Sequence, residues 1–134
     1  MTASVGALAV PALELAVDGL PDAAQVLAAR VASRFGTPDQ CEVVIAGAIG
    51  WPAIPFGAAL TLRVIGEDAA LFTGEVTCVQ MEFTPAGAVS ARIRGYDVLH
   101  RLRKRQTLRV FEAVTVADVA EVLAGDLGLD VAVD

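Results

Sequence analysis

Between Leu71 and Phe83 the run LFTGEVTCVQMEF changes the face it would hide. Phe72, Val76 and Cys78 share one parity; Val79, Met81 and Phe83 share the other. Side chains of a strand alternate sides with a period of two, so one regular strand cannot bury both sets on one face. The phase change predicts a bulge or sharp bend near Cys78, and long strands that bend in this way help a sheet close on itself.

The same alternation recurs along most of the chain. It runs through Leu13–Val17, and in Gln25–Phe35 it places Leu27, Ala29, Val31 and Phe35 on one face with Arg30 and Arg34 on the other. Pro38 and Asp39 supply turn chemistry before CEVVIA returns, so Gln25 to Ala46 reads as a hairpin. In Ala59–Ile65, Leu60, Leu62 and Val64 point inward, and Gly66–Asp68 turns the chain. Thr84–Gly87 has the Pro and Gly placement of a type I turn. The returning strand then sets Val89, Ala91 and Ile93 inward and Ser90, Arg92 and Arg94 outward.

The pattern shifts after Gly95. A short helix is predicted near residues 97–105, with Asp97 as its cap and Val98, Leu99 and Leu102 as its apolar stripe. QTLRVF reads as another short strand. A longer helix is predicted near 116–127: Thr115 and Asp118 form a capping-box start, Val116, Val119, Ala120, Leu123 and Leu127 recur at helical spacing, and Gly128 ends it. LDVAVD begins a further strand. The fold class expected is mainly β with minor α, an antiparallel barrel-like tube domain over residues 1–112. Residues 113–134 would hold the helix and the start of an inserted or following domain. A strand opening at Leu129 needs a partner, so the chain is expected to be the front part of a longer protein.

Composition narrows the function classes. Hydrophobic residues make up 55% of the 134 residues, and the mean hydropathy is +0.61. Apolar surface beyond what one small domain hides points to a partner surface, hence to an oligomer. Two cysteines and one histidine leave no His/Cys metal cluster. Cys41 and Cys78 read as buried, inert thiols made in a reducing compartment. GxSxG, HExxH, P-loop and dinucleotide patterns are absent. His100 reads as a packing or helix-end residue. No catalytic residue, cofactor or metal site is therefore expected, and the chain reads as a scaffold, not an enzyme. The start of the chain lacks the basic opening of a secretory signal, and Pro11 interrupts its apolar run. Val43–Leu62 is uncharged over 20 residues, but Pro52 and Pro55 oppose a membrane helix, so it reads as strand, loop, strand.

The net charge is −6, yet seven of the ten basic residues fall between Ser90 and Phe111: Arg92, Arg94, Arg101, Arg103, Lys104, Arg105 and Arg109. Positive charge at a helix C-terminus is mildly stabilising, which accounts for much of the cluster. A small nucleic-acid-binding barrel is the alternative, although only Tyr96 and Phe111 lie nearby for stacking. A third reading is an interface at which these arginines meet carboxylates of a neighbouring subunit. Trp51, the only tryptophan, sits in an apolar Pro-rich loop that either plugs a barrel end or docks a partner.

Residues Ala70 to Leu129 resemble the hub segment of phage late control protein D and of the valine-glycine repeat protein G spikes. Leu71, Phe72, Gly74, Glu75 and Val76 match the family's LFxGEV strand. Gly95, Tyr96, Asp97, His100, Arg101 and Leu102 match its GYDxxHRL element, and Thr115, Asp118, Val119, Ala120 and Gly128 match the helix that follows. The resemblance implies a baseplate hub of a contractile injection system: a phage tail, a type VI secretion system or an extracellular injection particle. Such hubs are homotrimers joining an inner tube protein to a puncturing spike, made in the bacterial cytoplasm. The family also has a second barrel and a β-helical spike, and neither is present in this chain.

Overall fold

The computed structural model describes residues 12–46, 53–105 and 108–132. Six strands form: β1 (Leu13–Val17), β2 (Gln25–Arg34), β3 (Thr37–Ala46), β4 (Ala59–Val64), β5 (Ala70–Phe83) and β6 (Val89–Tyr96). Two helices follow, α1 (His100–Lys104) and α2 (Val116–Gly125). The strands make one sheet in the order β1-β4-β5-β6-β3-β2, every neighbouring pair antiparallel. The long β5 joins the two halves: its first part pairs with β4 up to Glu75, and its second part pairs with β6 from Glu75 onward. The sheet curls into a half-barrel, and the edge strands β1 and β2 approach each other without ladder pairing.

The bulge lies near Cys78, as the parity change predicts, but one residue earlier, so Cys78 stays out of the buried core it was expected to join. Val76 faces Gly95 and Cys78 faces Arg94, leaving Thr77 as the extra residue. Phe72 and Val76 are thereby buried before the bulge, while Val79 and Met81 pack on the core after it. Cys41, Val43 and Ile45 of β3, Leu60 and Leu62 of β4, and Ala91 and Ile93 of β6 complete the interior. Fully burying a Val, Leu or Ile side chain stabilises by about 1.5–3 kcal/mol, so this inner face dominates the stability of the sheet.

Gly95 is required by close packing. A Cβ at that position would lie 2.8 Å from the carbonyl oxygen of Glu75 and would collide with the Leu60 side chain. Only a bare backbone lets β6 pass this close to β4 and β5.

Five local expectations are corrected. The β2–β3 turn is formed by Phe35 and Gly36, and Pro38 and Asp39 already lie in β3. A register shift between Val26 and Ala28 places Val26 opposite Ile45, so Leu27 bulges out and Phe35 stands exposed at the tip. Ala29 and Val31 keep their inward places opposite Val43 and Cys41. QTLRVF forms no strand over Leu108–Phe111, and the LDVAVD segment forms none over residues 129–132. Neither pairs with a strand of the sheet, and an extended segment without a ladder partner is not a strand.

Asp97 is the fifth correction. It precedes α1, whose N-cap position is Leu99, and no side chain caps that helix. Its carboxylate instead holds the turn before the helix: Oδ1 accepts from the Leu99 amide at 3.0 Å, and Oδ2 accepts from the Asp39 amide at 3.1 Å. The Thr115–Asp118 capping box on α2 is present in both directions. Gly128, at φ 69, follows the end of α2, where the Leu129 amide donates to the Ala124 carbonyl.

Candidate functional site

The basic segment begins on the outward face of β6. The register sets Glu42 of β3 directly opposite Arg94 and diagonal to Arg92. Arg94 Nε donates to Glu42 Oε2 at 2.6 Å, and Arg92 Nη1 donates to Glu42 Oε1 at 2.8 Å. Arg92 also reaches across to β5, with Nη2 3.0 Å from Glu82 Oε1. Arginines on the central strand thus join carboxylates from the strands on either side. The hydrogen bond from Arg94 holds the Glu42 carboxyl below the usual range, and the same bond raises the Arg94 guanidinium.

A second group forms where β6 ends and α1 begins. His100 is buried, with Nδ1 2.6 Å from the Asp97 carbonyl oxygen and Nε2 2.9 Å from Glu75 Oε1. Arg101 takes the other Glu75 oxygen through Nε at 3.0 Å and through Nη2. The Arg101 hydrogen bond is the main cause of a lowered Glu75 pKa. Glu75 therefore anchors the short helix to β5 at the residue where that strand changes partner.

A third group fastens α2. Arg109 Nη2 lies 2.7 Å from Asp126 Oδ2, and Arg105 lies 3.8 Å from the same oxygen. Arg103 and Lys104 make no ion pair among the described residues. They border a cavity of about 220 Å³ that also meets Pro38, Thr77, Tyr96 and His100.

Among the candidate interface residues, Arg92, Arg94, Arg101, Arg105 and Arg109 are thus engaged within the chain. Trp51 lies outside the described residues; in the same loop Ile54 is buried in the core and Phe56 is exposed. The partners Glu42, Glu75, Glu82 and Asp126 could be found from sequence only as outward carboxylates, because pairing needs the strand order. Among the described residues no group of three or more His, Cys, Asp or Glu side chains could hold a metal. Both cysteines are free, and burial pushes the Cys41 thiol up to about 11. No helix among the described residues is long and apolar enough to cross a membrane.

Neither a protein-family model nor a curated protein sequence matches the chain. Among solved structures, it is similar to the 43 kDa tail protein of prophage MuSo2 from Shewanella oneidensis, with a TM-score of 0.66 at 16% sequence identity. The match covers 89% of this chain and 39% of that one, so the chain spans about two fifths of the length of the tail protein. At this identity the likeness establishes a shared fold.

Proposed function

We propose that the chain is a structural component of a phage-tail-like assembly, and within it a baseplate hub element of the late control protein D and valine-glycine repeat protein G kind. The observation that carries this reading is the fold shared with a prophage tail protein over 89% of the chain. The order of motifs from Leu71 to Gly128 supports the finer assignment. In this role the half-barrel is a wall segment completed by sister copies in a homotrimer. It joins an inner tube protein to a spike, with residues 113–134 leading into the next region. Function then resides in assembly, and the chain performs no catalysis.

The alternative nucleic-acid reading loses most of its electrostatic basis, since five of the seven clustered cations are paired within the chain. The test is reconstitution. The chain is co-expressed with a phage-tail inner tube protein, and complexes are sized by light scattering and viewed by electron microscopy. Rings that cap tube ends are expected. A chain that ignores tube protein, yet binds oligonucleotides with a steep salt dependence, would reverse the assignment.

A further inference from the structure

The β2–β3 hairpin ends in an aromatic side chain with nothing over it. Phe35, in the turn after β2, is fully exposed, and Leu27, bulged out of that strand, is exposed as well. Arg30 and Arg34 flank this apolar strip and enter no ion pair among the described residues. A long edge strand with such side chains is a hazard in water unless something covers it.

The complementary surface lies at the other end of β2. The connection from β1 to β2 frames a cavity of about 600 Å³, with Leu15, Val17, Leu20 and Pro21 in its lining and the exposed Asp18 and Asp22 beside them. Neither carboxylate enters an ion pair among the described residues. The neighbouring cation, Arg63, stands opposite Glu14 in the β1–β4 register and lines a separate groove with it.

We propose that Phe35, with Arg34 beside it, docks into the Asp18–Asp22 cavity of a second copy of this chain. The ring meets Leu15, Val17, Leu20 and Pro21, and the guanidinium meets the Asp18 and Asp22 carboxylates, which suit Arg as partners. A chain cannot satisfy its own cavity, because the ten residues of β2 separate arm from cavity by roughly 33 Å at about 3.3 Å per residue. Each copy offers one arm and one cavity, and a homotrimer uses them heterologously, the arm of each copy entering the cavity of the next. Copies add head to tail, closing as a ring where the rotation permits. The inference rests on the self-assembly part of the tail reading and supplies its contact residues.

The test is sedimentation velocity of the full chain across a concentration series. Phe35→Asp should weaken self-association by about 30-fold or more, as expected for a hot-spot anchor. The double variant Asp18→Arg with Asp22→Arg should do the same from the cavity side, so the two halves are probed by independent substitutions. Circular dichroism should show each variant folded, since all three positions are exposed. Mixing the arm variant with the cavity variant restores one intact arm and one intact cavity, and should give dimers that grow no further. A mixture no heavier than its parts overturns the proposal. Undiminished association of Phe35→Asp also overturns it and leaves the assembly reading standing. A wild-type chain that stays monomeric at every concentration removes both.

Discussion

Asp39 and Asp97 are joined by reciprocal hydrogen bonds: the Asp97 amide donates to the Asp39 carbonyl at 3.0 Å, and the Asp39 amide donates to Asp97 Oδ2 at 3.1 Å. This pair ties the beginning of β3 to the exit from β6, so the chain leaves the sheet in a fixed direction and α1 lands over Glu75. Asp97→Ala strips the acceptor from the Asp39 and Leu99 amides. It should cost about 1–3 kcal/mol, the range for leaving a partly buried donor unpaired. Asp97→Asn retains one oxygen acceptor and should lose less. Urea unfolding of both variants measures the difference.

Gly95→Ala should destabilise by about 1–3 kcal/mol, because the added methyl meets the Glu75 backbone, which cannot yield without disturbing β5. Gly125→Ala is the control. A Cβ there points into open space at the end of α2, and the change should be neutral or slightly stabilising. Thermal unfolding of the two variants should shift in opposite directions or leave the second unmoved.

Acid should unfold the chain through its paired carboxylates. Glu42 is held low by its hydrogen bond from Arg94, Glu75 by its bond from Arg101, and Asp118 by the Thr115 amide. A carboxylate depressed in the folded state adds stability that is complete above its unfolded value, about 4. That stability is lost as pH falls through the lower folded value. Denaturation measured from pH 7 down to about 2.5 should show stability falling on the acid side, and Glu75→Gln should flatten that decline.

Thr115→Ala should cost about 1 kcal/mol, the usual worth of a hydroxyl N-cap, and the cost should be local. Hydrogen exchange in α2 should accelerate while the amides of β3 and β6 keep their protection. Equal acceleration throughout would mean that the helix and the sheet open as one unit.

Some of the fold and part of the candidate site were legible in the sequence. The parity change in β5 placed a bulge near Cys78, next to the Thr77 where it is found, because alternation is a property of neighbouring residues. The Thr115–Asp118 capping box is likewise contained in four consecutive positions. Asp97 illustrates the limit. A local rule makes it a helix cap, but its carboxylate serves a turn and an amide 58 positions away. QTLRVF has the pattern of a strand and does not become one, since a ladder requires a free edge at the right place.

The sequence by itself determined which faces of β3, β4 and β6 turn inward, where β5 bends, and how α2 begins, because each depends on spacings of a few residues and on the geometry of one strand or helix. Only the tertiary structure decided that Arg92 and Arg94 share Glu42, that Arg101 meets Glu75, and that Phe35 is left uncovered. Those outcomes depend on which strands lie side by side, and chain folding brings together residues that no local period connects.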